Sequence, residues 1–362
     1  MDNVTHSLLG AALAKTRLGQ STPLAPVALV VAANLPDFEN FVLAFFDRPT
    51  NMVHHRGLSH ALVGVAILIP TFATLVWWLS RRIRASGPPG SFATLLLGTA
   101  LAVGSHPLLD WLNTYGVRPW LPFDETWYYG DLVFIVDPWL WLLLGSAVCL
   151  AGRRTRGGSV ALGIVGVLLS IGVILFADLG PRVLLPLWLA GVTALALGRC
   201  TTFGVRSPHA VVGAALALCV VYVGFLGWAG RTAWRMSQPL IAAQLPADEA
   251  IVAHSVSPQP ANPLRWQVVA QTRRAVYRHT FSILTSPGGL TRISTRLDDP
   301  RVQAALQTHA GRAWQAFARH PVAAVVSNGG RPRVYLMDAR YGLFPAGNFA
   351  SVIVDVGGAL GR

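Results

Sequence analysis

Apolar and polar positions along this chain follow two different patterns. In the first, long apolar runs recur. Leu58–Leu79, Phe92–Trp111, Leu132–Leu150 and Ala210–Ala229 reach or approach the ~20 residues that a helix needs to cross a bilayer. Val160–Phe176 and Val183–Leu197 are shorter runs of the same kind. Ahead of them, Thr5–Leu18 carries Leu8, Leu9, Ala12 and Leu13 at helical spacing, with Thr5 as the expected N-cap. Pro23–Phe46 is a second helical stretch. Pro36 is expected to kink or break it, because proline lacks the helical N–H donor and clashes with the preceding turn.

From Arg231 onward the pattern changes to short runs rich in β-branched residues. Leu264–Ala270, Ala275–Leu284, Val322–Ser327, Arg333–Met337 and Ser351–Val356 are expected strands. Asp299–Arg319 is an expected helix, with Val302, Leu306, Ala313 and Phe317 partly on one face. The expected architecture is an all-α polytopic membrane domain of about six to eight membrane helices, followed by a small soluble α+β domain. Residues 1–152 and 153–230 would form the membrane part, and residues 231–362 the soluble part.

Composition agrees with this division. Hydrophobic residues make up 53% of the 362 and charged ones only 12%, which excludes an ordinary soluble enzyme. A net charge of +13 raises nucleic acid as a partner, but the distribution argues against it. Part of the charge sits in Arg81-Arg82-Ile83-Arg84 and Arg153-Arg154-Thr155-Arg156, short clusters between apolar runs that mark cytoplasmic loops. The remainder is scattered, with no basic stripe. Cys149, Cys200 and Cys219 lie in or beside apolar runs, so no disulfide framework is expected. The start, Met-Asp-Asn-Val-Thr-His, has no basic region of the kind that opens a cleavable signal peptide.

With both arginine clusters in the cytoplasm, Leu58–Leu79 runs inward, Phe92–Trp111 outward and Leu132–Leu150 inward. His54, His55 and His60 then share the outer face with His106 and Asp110, and with Asp131 and Asp137. Asp37 joins them if Pro23–Phe46 runs outward. The region after Arg231 is placed outside, on the periplasmic side. The Trp-, Tyr- and Pro-rich loop Asn113–Asp131 suits the membrane–water interface.

Ionisable residues beside membrane-length segments are costly unless they bind or react with something. His106 and Asp110 stand one helical turn apart on one face, and imidazole with carboxylate suits a borderline ion such as zinc. The bland alternative is a hydrogen-bonded pair that holds helices together. His54, His55 and His60 offer further nitrogens, against a polar loop that binds nothing. Arg56 has the fork geometry that suits a phosphate oxygen. Asp37, after Pro36 and before Glu39 and Asn40, could bridge metals or accept a proton from water, or simply cap a kink. His6 with Asp2 repeats the acid–imidazole spacing. Asp131, Asp137 and Glu39 are expected to support ligands from behind. His209, His254, His279, His309 and His320 have no such neighbours, and the paired glycines at 288–289, 329–330 and 357–358 mark turns.

Taken together, Thr5-His6-Ser7-Leu8-x-Gly10, Leu35-Pro36-Asp37, His54-His55-Arg56-Gly57-x-Ser59-His60 and His106-x3-Asp110, followed by Pro122-Phe123, carry a resemblance. They are similar to the YdjM-type family of bacterial inner-membrane proteins, regarded as metal-dependent hydrolases and grouped distantly with zinc-dependent phospholipase C and P1-type nucleases. The resemblance covers about Met1–Leu150 and implies His6, Asp37, His55, His60, His106 and Asp110 as ligands, with His54 and Arg56 adjoining. It departs at Glu39, where a second Asp is expected after Pro-Asp. The expected protein is a membrane-bound hydrolase holding one to three divalent ions, zinc foremost, and acting on a phosphoester, with phospholipids among the candidate substrates. The rival readings are a non-catalytic protein with a structural or sensing metal, and an ion- or proton-coupled transporter. The transporter would distribute ionisable groups across membrane depth. No His-Glu-x-x-His is present to suggest a peptidase.

Overall fold

The computed structural model describes residues 1–83, 90–152, 156–176, 184–201, 203–328, 331–343 and 349–356. Arg84, Arg153, Arg154 and most of the expected Ser86–Gly90 loop lie outside the described residues, as do the glycine pairs at 329–330 and 357–358. Two compact units emerge. The first comprises Met1–Phe38, Arg56–Trp228 and Pro258–Pro263, and the second Glu39–His55, Ala229–Ser257 and Leu264–Arg362.

In the first unit, helix α1 (Asn3–Leu13) opens at Asp2, whose carboxylate accepts from the backbone N–H groups of Val4 and Thr5. Asp2, not Thr5, is the N-cap, because Asp2 has the extended backbone ahead of the first turn. The helix stops at Leu13, short of the expected Leu18. The Thr16 hydroxyl donates to the Leu13 carbonyl, one of the acceptors a helix end leaves open. Helix α2 (Ala25–Asn34) lies very close to α1: a Cβ on Gly10 would stand 2.6 Å from the Leu29 carbonyl oxygen. Small residues at such contacts suit helix pairs in lipid, where packing rather than expulsion of water holds helices together.

The stretch from 23 to 46 breaks at Pro36. The α-helix ends at Asn34 and Leu35–Phe38 form a 3-10 turn. Two short helices of the second unit follow, α3 (Glu39–Leu43) and α4 (Arg48–His54). The first unit resumes with α5 (Leu62–Ser80), α6 (Phe92–Trp111), α7 (Pro138–Ala151), α8 (Arg156–Phe176), α9 (Leu184–Cys200) and α10 (Phe203–Arg206). Its helices end in the first part of α11 (Pro208–Ala242), and Pro258–Pro263 complete it. Leu13, Leu29, Ala32, Ala33, Ala102 and Val103 form one buried cluster joining α1, α2 and α6.

Among the described residues, four helical stretches are long and apolar enough to cross a membrane: Ala25–Leu43, Leu62–Ser80, Phe92–Trp111 and Pro208–Ala242. Pro138–Ala151, Gly163–Val173 and Leu184–Arg199 are apolar but shorter. Helix α7 begins six residues later than the apolar run because Asp137 and Pro138 make a helix start, with Val133 bridged to Asn113 ahead of it. Its 14 residues extend only ~21 Å, less than the ~30 Å apolar core of a bilayer. Arg81 and Arg82, at the end of α5, lie over the rings of Trp77 and Trp78.

In the second unit, the tail of α11 places Ala233, Ser237 and Ile241 on one buried face. Two sheets follow. The first has the order β1 (Ala253–Gln259), β2 (Asn262–Gln271), β3 (Ala275–Ser282), β4 (Thr291–Ser294), and the second β5 (Pro321–Asn328), β6 (Arg331–Asp338), β7 (Ser351–Asp355). The pairs β2–β3, β3–β4, β5–β6 and β6–β7 are antiparallel. Val269, Val276, Val322, Met337 and Ala339 form a buried core across both sheets. The expected helix Asp299–Arg319 is two helices, α12 (Pro300–Leu306) and α13 (His309–Phe317), because Thr308 caps the second. Gly311 lets them meet, since a Cβ there would stand 2.0 Å from the Ala305 carbonyl oxygen.

Candidate metal centre

Four local devices of the first unit bring ionisable side chains to one point. The Asp2 cap fixes the first turn of α1, which carries His6. The break at Pro36 puts Asp37 in a 3-10 turn. A second 3-10 turn, Leu58–His60, presents His60 just before α5, and the Leu62 N–H is held by the Pro119 carbonyl at 2.9 Å. His106 and Asp110 project from the last turns of α6.

Five of the expected ligands converge there. Asp110 Oδ2 lies 3.3 Å from His60 Nε2 and 3.6 Å from His106 Nε2. Asp110 Oδ1 lies 3.4 Å from His6 Nε2. Asp37 Oδ1 lies 3.5 Å from His60 Nε2 and 3.7 Å from His106 Nε2. Donor atoms of His6, His106 and Asp110, and of Asp37, His60 and His106, fall within 4.8 Å of one another, so His106 belongs to both groups. The histidines and Asp110 are fully buried, while 10% of the Asp37 side chain remains exposed.

Among the described residues, both ring nitrogens of His6 and Nε2 of His106 are buried without a hydrogen bond. A buried polar atom left unpaired is costly, and such atoms in native proteins need a reason. The separations are long for hydrogen bonds, yet ligands about 2.0–2.1 Å from one tetrahedral zinc stand roughly 3.3 Å apart. Three imidazoles and two carboxylates are a donor set that zinc accepts. His106 Nδ1, 2.7 Å from the Ala33 carbonyl, must donate there, which leaves Nε2 as an acceptor facing the cluster. His60 Nδ1 is 3.0 Å from the Ser59 hydroxyl, which orients that ring with Nε2 toward the carboxylates.

The other expected residues have different surroundings. His54, His55 and Glu39 belong to the second unit and are in neither group. His55 Nδ1 lies 3.5 Å from Glu39 Oε1, and His54 is exposed. Arg56 is buried and its guanidinium is held by protein acceptors: the Asp110 and Gly116 carbonyls, Asn113 Oδ1 and Asp110 Oδ1. Asp131 adopts left-handed backbone, with φ 54°. Asp137 caps α7 through Trp139 and Leu140 and accepts from the Tyr222 hydroxyl at 2.9 Å.

Three participants were not expected from the sequence. Asn113, fully buried, accepts from Arg56 and from the Tyr115 N–H. Trp141 donates to Asp2 and Thr5 behind His6. The Met1 ammonium donates to Asp110 Oδ1. Asn113 and Trp141 are ordinary residues at a helix end and in an apolar run, and no local spacing marks them.

A family comparison covers this whole cluster: the model for the YdjM inner membrane protein matches residues 1–180. Residues 1–180 of this chain belong to the YdjM inner membrane protein family. All five converging residues fall inside the match. The family and the apolar helices together make this a membrane protein. A similar protein is the uncharacterized YfhP of Bacillus subtilis (strain 168), 27% identical over 165 residues, or 42% of this chain. The aligned part spans 47% of that relative, about half its length. No solved structure matches the chain.

Proposed function

We propose that this YdjM-family chain is a membrane-bound, metal-dependent hydrolase acting on a phosphoester, with a lipid phosphoester as the substrate class. His6, Asp37, His60, His106 and Asp110 would hold one to three divalent ions, zinc foremost. The observation that carries the reading is the pair of buried, unbonded Nε2 atoms of His6 and His106, both turned toward the Asp110 carboxylate. The cluster belongs at the periplasmic face of the inner membrane, with the C-terminal unit periplasmic and the shorter apolar helices bringing the membrane helices to six to eight.

Bound zinc would supply Lewis acidity toward water and phosphate oxygens. The protein groups have separate tasks. Ala33 and Ser59 hold the His106 and His60 rings with Nε2 inward. Asp37, the one cluster carboxylate with an exposed edge, can take a proton from water at Oδ1 or Oδ2 as a general base. Burial of the remaining side chains keeps competing water from the imidazoles.

A second reading has its own support. Five donors at almost complete burial could close a coordination sphere, which is the mark of a structural or sensing site. Two measurements on purified full-length protein separate these readings. Metal analysis of wild type, His106→Ala and Asp110→Ala should give stoichiometric metal only in the wild type. A screen of phosphodiesters, including lipid ones, should give turnover that follows the metal. Metal without turnover favours the structural reading, and a wild type without metal ends both.

A further inference from the structure

Arg56 sits where a substrate-binding arginine would be expected, yet both of its terminal nitrogens already donate to protein acceptors. Nη1 donates to the Gly116 carbonyl at 2.9 Å, and to the Asp110 carbonyl and Asn113 Oδ1 at 3.2 Å each. Nη2 donates to Asp110 Oδ1 at 2.9 Å. The guanidinium carbon lies 4.5 Å from the centre of the Tyr115 ring, so one face of its plane is covered too. The residue itself is in left-handed backbone, φ 55°, which a side chain other than glycine keeps only where its surroundings over-determine it.

From these contacts we infer that Arg56 is a positioning residue for Asp110 and makes no contact with substrate. It fixes Oδ1 and leaves Oδ2 as the oxygen presented to His60 and His106. The guanidinium pairs with the buried Asp110 carboxylate and hydrogen-bonds it at Oδ1. A planar fork holds the orientation of a carboxylate, which a flexible ammonium does not. The same fork ties the open carbonyl of Asp110, in the last turn of α6, to the loop at Asn113–Gly116, so helix end and ligand are fixed together.

The inference rests on the metal-site reading, and its test separates the two. Zinc affinity of the full-length protein in lipid nanodiscs is measured by competition with a chromogenic chelator. Arg56→Ala should weaken binding about 10–100-fold, the usual effect of losing a residue that orients a ligand. Arg56→Lys should recover only part of the loss. Millimolar guanidinium should restore Arg56→Ala but not His106→Ala, an outcome that general destabilisation would not produce. If Arg56→Ala lowers the melting temperature while affinity stays at the wild-type value, the inference is overturned. Should Arg56→Ala not fold, unchanged affinity in Arg56→Lys overturns it equally. If the wild type binds no zinc, the metal reading fails by itself. The pairing is then read from melting temperatures of metal-free Arg56→Lys, Asp110→Asn and the double variant: additive shifts reject it, and strongly non-additive shifts uphold it.

Discussion

The imidazole rings of His6 and His106 stack face to face, with centroids 3.7 Å apart and 14° from parallel. Two imidazolium ions would repel each other at that distance, whereas two neutral rings can stack and still offer nitrogens to a cation. Because His106 contributes to both candidate groups and His6 to one, their removal should be unequal. His106→Ala should abolish stoichiometric zinc binding, and His6→Ala should weaken it by a smaller factor. Equilibrium zinc titration checks the order, and equal losses would refute a shared role for His106.

The C-terminal unit should be acid-sensitive through His320. This side chain is fully buried, Nδ1 lies 3.0 Å from Gln271 Oε1, and burial holds its pKa down to about 3. The unfolded value is about 6.5, so the unfolded chain binds the proton first as pH falls. The stability is fully present above about 6.5 and is lost as pH falls toward 3. The unit should therefore be less stable by about 2 kcal/mol at pH 5 than at pH 8 from this group alone. Chemical unfolding followed by tryptophan emission at the two pH values should show the slope, and His320→Asn should flatten it.

Tyr222 on α11 donates to Asp137, the cap of α7. Tyr222→Phe leaves Asp137 Oδ2 buried without that donor and should cost about 1–3 kcal/mol. Thermal melting of the purified variant should show the loss, and an unchanged melting temperature would separate Tyr222 from the cap of α7.

Orientation can be tested at Leu284, which is 68% exposed in the second unit. With Cys149, Cys200 and Cys219 replaced by serine, Leu284→Cys should react with a membrane-impermeant maleimide in intact spheroplasts. Labelling only after lysis would reverse the proposed topology.

Much of the membrane part was legible because its constraints are local. Lipid demands long apolar runs, and polar residues beside them stand out: His6, Asp37, His60, His106 and Asp110 were all visible that way, and the structure brings them together. Partners far apart in sequence were not legible. Arg56 reaches Asn113 and Gly116, 57 and 60 residues away, and no spacing records that. Cap choice was ambiguous because Asp2 and Thr5 both have the right chemistry, and backbone conformation alone decides between them. Strands β1 and β4 were missed because Ala253–Gln259 contains a proline and few β-branched residues, and Thr291–Ser294 is only four residues long.

Residues 258–263, the turn between β1 and β2 with the strand ends that flank it, belong to the first unit, where the Ala261 carbonyl accepts from the Trp139 indole at 2.9 Å. The membrane unit thus takes its last piece from chain that is synthesised after the whole of α11. A protein shortened at residue 230 would lack the acceptor of the Trp139 indole, and with it part of the membrane unit itself.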